Sequence, residues 1–269
     1  MFIVHINLLP FLLPYLSPTV AAAQAIETVA PQKNHPTAVV IKGGTYRPFY
    51  RPRLSESDKR IVVKSFELDA HPVTNQDYLE FVKKNTQFTR SQIGRVFAED
   101  TYLKHWQTDH TLKNEKELKQ PVTHVSWFAA TAYCQWLGKD LPTTDQWEYA
   151  LDDVGRSAKA TKAAILKWYS VPNNQELGQI GQHKANGYGV HDLVGLVWEW
   201  TQDFNNSATS AELRSDGTKD ENLFCASGSL NAVDSSDYVK FMRFSFRGSL
   251  QAAFTTANLG FRCAKELTP

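Results

Sequence analysis

Chemistry in this chain concentrates on a carboxylate set between two indoles, Trp198-Glu199-Trp200. A strand-like run would put both indoles on one face and Glu199 on the other. A carboxylate so placed is costly to bury unless it is paired, hydrogen-bonded or bound to a metal. Gly187, Gly189 and Gly195 just upstream allow tight turns and close backbone approach. Three cysteines, Cys134, Cys225 and Cys263, allow one disulfide and leave one thiol over. A surplus thiol is either a small buried hydrophobe or a reactive group, and its type alone does not choose. Arg243, Arg247 and Arg262 carry guanidinium forks suited to carboxylates and phosphates, so they are candidates for an anionic cleft, with Arg262 favoured instead as a structural ion-pair partner. Eight histidines give no convincing metal set: His105 and His110 stand in a polar stretch, and no His-x-x-x-His or Cys-x-x-Cys pair occurs. For His124 and His191 a structural role is favoured over ligation. The sequence has no Gly-x-Ser-x-Gly elbow, P-loop or dinucleotide fingerprint.

The elements that must position these groups are short. Ala38-Val-Val-Ile-Lys-Gly-Gly-Thr-Tyr46 reads as a strand ending in a glycine turn, and Lys64–Asp69 as a second strand. Thr74 is placed to cap a helix with Tyr78, Phe81 and Val82 on one face. Ser126 caps a second helix that Gly138 stops. Thr143 and Gln146 have capping-box spacing at the start of a third, and Ala160–Trp168 is helical in pattern. The C-terminal third reads as short strands in long loops, ending in a strand at Gly260–Ala264. The expectation is a single α+β domain.

Length and composition agree with one sizeable core: 269 residues, 12% aromatic, seven tryptophans. A formal charge of +1 with mixed signs gives no electrostatic footprint for nucleic acid or an anionic membrane. Residues 3–16 are an apolar run followed by Ala21-Ala22-Ala23, a pattern like a secretory signal (residues 1–23) cleaved before Gln24. It is too short and proline-broken for an integral membrane span. No Lys or Arg precedes Lys33, so the usual basic start is missing, and an uncleaved anchor is the rival reading. Residues 24–37 read as a linker and 38–266 as the domain, with an exported, periplasmic location expected.

The segment Asn186–Asp203, closed by Asn258-Leu-Gly-Phe-Arg-Cys-Ala264, resembles the core signature of the formylglycine-generating enzyme (sulfatase-modifying factor) family. Pro-Val-Thr-Asn, Val-Ser-Trp-x-x-Ala-x-x-Tyr-Cys-x-Trp and Leu-Pro-Thr-x-x-x-Trp-Glu-Tyr-Ala occur in the family's order, so the resemblance spans residues 38–266. It implies a modified C-type-lectin-like fold and a Cys134–Cys263 disulfide. Family catalysts oxidise a substrate cysteine at copper(I), which wants soft thiolates. The best alignment puts Ala232 and Asp237 where that thiol pair would be, so the copper mechanism is not expected. Ser229 matches the serine of the oxygen pocket and Trp200 a tryptophan lining it; Arg247 matches an arginine flanking the substrate groove. Cys225, four residues before Ser229, is the candidate catalytic thiol if any exists. Leu196 replaces a calcium-binding asparagine while Glu199 remains, which leaves a residual calcium as the one cofactor implied, weak or absent, with Glu199 expected on backbone amides or an arginine. The resemblance points to exported members outside the sulfatase-activating group, of two kinds: accessory proteins of copper nitrite reductase, and the oxidoreductase-like protein of pyoverdine maturation. The expected partner is an exported protein, or a small peptide or siderophore-like substrate, held in the former substrate groove.

Overall fold

The computed structural model describes residues 37–48, 60–153, 158–170, 176–205 and 238–267. The chain opens with β1 (Ala38–Ile41) and β2 (Gly44–Tyr46), then β3 (Ile61–Val63) and β4 (Phe66–Asp69). Helices α1 (Asn75–Lys84), α2 (Trp127–Trp136), α3 (Thr144–Asp152) and α4 (Ala158–Tyr169) follow, with short 3₁₀ turns at Thr86–Phe88 and Glu115–Lys119. The C-terminal part carries β5 (Trp198–Glu199), α5 (Tyr238–Gly248), β6 (Leu259–Gly260) and β7 (Ala264–Glu266). Among the described residues β1, β4 and β7 form one sheet, antiparallel throughout, with Ile41 opposite Phe66 and Leu68 opposite Ala264. β2 pairs with β3 antiparallel, and β5 with β6 in parallel.

The helix starts follow from their caps. Thr74 Oγ1 accepts the Asp77 amide and the Asp77 carboxylate accepts the Thr74 amide, a reciprocal box that satisfies two orphan donors of α1. Thr143 and Gln146 do the same for α3, and Ser126 caps α2 through the Ala129 amide. α2 ends where Gly138 turns to φ +68°, a left-handed position that a glycine accepts without strain.

Two apolar clusters fill the interior. Tyr78, Phe81, Trp106, Tyr133, Trp136 and Trp200 belong to the first; Ile41, Phe66, Leu68, Trp147 and Tyr149 belong to the second. Cys134 of α2 and Cys263 beside β7 are joined by a disulfide, as the family resemblance implies, and both are fully buried.

Two local expectations need correction. The single C-terminal strand is two: the chain leaves β5 after Gly260, passes through 261–263 and joins β4 as β7. Gly260 permits the switch, since a Cβ there would lie 2.8 Å from the Val122 carbonyl oxygen. The stretch read as strands in loops also contains the helix α5. Its aromatic and β-branched residues suit strands by propensity, and tertiary contacts override that preference. Arg243 and Arg247, four apart, meet one carboxylate from the same helical face.

Candidate functional site

β5 is held on one side by β6, with the Trp198 amide donating to the Asn258 carbonyl at 2.8 Å and the Trp200 amide to the Gly260 carbonyl at 2.9 Å. The alternation then sends neighbouring side chains apart. Trp198 lies between Phe246 and Tyr169, with ring centroids 4.1 and 5.4 Å away, in a half-buried aromatic tier shared with Trp168. Trp200 has no exposed surface; its Nε1 donates to the Val125 carbonyl at 2.9 Å and its ring meets Phe204 edge-on. The indole is packed within the first apolar cluster.

Glu199 points the other way, into a pair buried at both ends. Its Oε1 accepts Arg262 Nη2, and its Oε2 accepts both Arg262 Nε and Trp147 Nε1, all at 2.8 Å. Both side chains are 0% exposed, so the fork-to-fork geometry must compensate for the loss of water around two charges. Arg262 also donates to the backbone carbonyls of Asp69 and His191, which ties β4 and the loop before β5 to the same guanidinium. The expectation that Glu199 is held by an arginine holds. These residues do not fit calcium: the cation wants roughly six to eight oxygens, and the groups facing Glu199 are a guanidinium and an indole N–H.

A second carboxylate organises the two other arginines. Glu148 of α3 takes Arg243 in a two-point grip, at 3.0 and 2.7 Å, and Arg247 at 2.7 Å. Burial pushes the Glu148 carboxyl up, but the two guanidiniums more than offset this and hold it down at about 2. Arg247 lies over the Trp147 ring, 5.2 Å from its centroid, and only 11% of its side chain is exposed. The pair suggested for an anionic cleft thus pins α5 to α3, and Arg262 serves Glu199. Trp200 and Arg247 face different clusters. Ser229, Cys225 and the positions Ala232 and Asp237 lie outside the described residues.

The histidines sort into two groups. The His105 and His124 rings are 4.9 Å apart, and His110 is exposed away from them. A second group escaped sequence reasoning because its members come from distant segments: His71 before α1, and His183 and His191 before β5. His71 and His183 face Asp192, whose side chain is fully buried, and His191 stacks on His71. Among the described residues no set of three or more His, Cys, Asp or Glu side chains is arranged to hold a metal ion.

The comparisons with known proteins agree with this architecture. The family model described as "Sulfatase-modifying factor enzyme 1-like domain" matches residues 23–267. The "Inactive C-alpha-formylglycine-generating enzyme 2" of Bos taurus is 28% identical over 253 residues, covering 77% of this chain and 79% of that protein. The "Formylglycine-generating enzyme" of Mus musculus is 26% identical over 286 residues, covering 86% and 74%. Among solved structures, that of PvdO from Pseudomonas aeruginosa is 18% identical, covers 88% of this chain and 96% of its own, and has a TM-score of 0.47. The chain belongs to the sulfatase-modifying factor enzyme 1-like domain family, with that family's α+β fold of short strands and much loop.

Proposed function

We propose that this protein is an exported accessory or maturation factor that binds an exported partner and does not synthesise formylglycine. The observation that carries the reading is thiol bookkeeping. The chain has three cysteines, and Cys134 and Cys263 are joined to each other and buried. Cys225 is the one thiol left, wherever it lies, and one thiol does not make the two-thiolate copper(I) centre on which family catalysts depend. The cattle relative whose name marks it as inactive is consistent with a non-catalytic member of the family. Export is supported by the apolar run at 3–16 and the small residues before Gln24, and a buried disulfide suits an oxidising compartment.

The direct test is incubation of the exported protein with a Cys-x-Pro-x-Arg peptide, with and without copper, followed by mass spectrometry. No aldehyde product is expected; catalytic aldehyde formation would overturn the reading. The second reading is a periplasmic oxidoreductase acting on a small molecule or peptide, and it rests on Cys225. If Cys225→Ser abolishes function in a complemented deletion strain while the fold is intact, that reading replaces the first. N-terminal sequencing of protein recovered outside the cytoplasm should begin at Gln24.

A further inference from the structure

Asp192 holds a loop together from its inside. Its carboxylate accepts the backbone amides of Gly181 and His183 and, at 2.9 Å, His183 Nδ1. A carboxylate only accepts, so His183 carries its proton on Nδ1. His191 Nδ1 lies 2.9 Å from the His183 carbonyl oxygen, which likewise only accepts, so Nδ1 is the donor there as well. His71 stacks on His191 with ring centroids 4.4 Å apart, and its Nδ1 stands 3.7 Å from the Asp192 carboxylate without a hydrogen-bond partner. The loop is fastened to the body at the same place: the His191 amide donates to the Ala70 carbonyl at 2.8 Å, next to His71.

We propose that the stacked pair His71 and His191, beside Asp192 and His183, forms an acid-operated latch, which holds the loop of residues 178–192 against His71 when both rings are neutral and loosens it when both are charged. Imidazoles are the side chains whose charge changes in the mildly acidic range. One carboxylate can neutralise one imidazolium, and Asp192 is already engaged by His183 Nδ1 and by two backbone amides. Charges on His71 and His191 are then left facing each other across the ring stack. The other charged group at this site is Arg262, which donates to the His191 carbonyl and is itself neutralised by Glu199; beyond it Asp69 is paired with Lys139. No further carboxylate is recorded against His71 or His191 among the described residues. Burial first, then His191, lower the proton affinity of His71, and Asp192 opposes them only in part. The latch lies directly upstream of β5, so its release would change how the segment leading to Trp198 is held.

Hydrogen exchange of the full-length chain tests this at about pH 7.5 and about pH 5, with rates corrected for the intrinsic pH dependence. The Gly181, His183 and His191 amides should lose protection by about tenfold or more in acid, and variants that remove one ring of the stack separate this loss from the acid response of the whole fold. His71→Gln removes a chargeable ring whose Nδ1 has no hydrogen bond to lose. His191→Asn keeps an amide donor for the His183 carbonyl. Both variants should cut the acid response of the three amides to under about threefold. The proposal is overturned if the wild-type amides keep their protection, or if either folded variant responds as the wild type does.

Discussion

Acidification should destabilise the whole fold through one ring, His105. Asn75 fixes its protonation: Asn75 Oδ1 accepts the indole N–H of Trp106 at 3.0 Å and Asn75 Nδ2 donates to the Glu117 carbonyl at 2.9 Å, so the amide orientation is set. His105 Nε2, 3.3 Å from the same Oδ1, must then be the donor, which leaves Nδ1 bare. That atom is buried without a hydrogen-bond partner, so a second proton on the ring would meet no acceptor. Burial, followed by the neighbouring His124, Lys113 and Arg90, pushes His105 down to about 3. Its folded-state value lies below the unfolded value of about 6.5, so the unfolded chain takes up the proton first. The stabilisation is complete above about pH 6.5, falls as the pH drops through the window between the two values, and is gone below about pH 3.

Between pH 8 and pH 5 the linkage relation gives a loss of at most about 2 kcal/mol from this ring. His124, also lowered by burial and by Lys104, adds in the same direction. Urea unfolding at a series of pH values, with the disulfide intact, measures the slope. His105→Gln keeps a donor for Asn75 and removes the titrating group, so its slope should be shallower by up to that amount. Equal slopes for wild type and variant, or an NMR titration in which the His105 ring takes up its proton near pH 6, would show the reasoning to be wrong.

Three other outcomes are expected. Removing the Cys134–Cys263 disulfide by a double serine substitution should lower stability by about 5 kcal/mol in a chain-entropy model, because it closes a loop with a sequence separation of 129; non-reducing peptide mapping should find these two cysteines linked. Arg262→Met should cost about 3–5 kcal/mol by stranding Glu199 in the core, and Arg262→Met combined with Glu199→Leu should cost less than that single change; a double-mutant cycle in urea decides. Trp200→Ala should cost about 3–5 kcal/mol in unfolding experiments, whereas Arg247→Ala should cost about 1.5–3 kcal/mol because Arg243 keeps its two-point grip on Glu148.

What the sequence made legible was mostly local. Thr74, Ser126 and the Thr143–Gln146 pair announce helix starts because a cap needs only residues one turn apart, and all three helices begin there. α5 was not legible in the same way: its Tyr, Val and Phe content suits a strand, and a helical cue such as Arg243 and Arg247 in i,i+4 spacing gains meaning once Glu148 is placed opposite both. The site shows the same division. That a buried Glu199 must be compensated follows from electrostatics alone, but the compensating groups, Arg262 and Trp147, are chosen by the fold. An arginine in a signature motif invites a substrate carboxylate, and it is equally satisfied by one from its own chain. Arg243 and Arg247 share Glu148, and Arg262 has Glu199. An anionic partner competing for Arg247 would first have to displace a carboxylate held at about 2, which the surrounding guanidiniums keep ionised throughout the physiological range. Recognition through this face of the molecule therefore has more to work with in the half-buried rings of Trp168, Trp198 and Phe246 than in its arginines, since aromatic surface needs no ion pair broken before it can be covered.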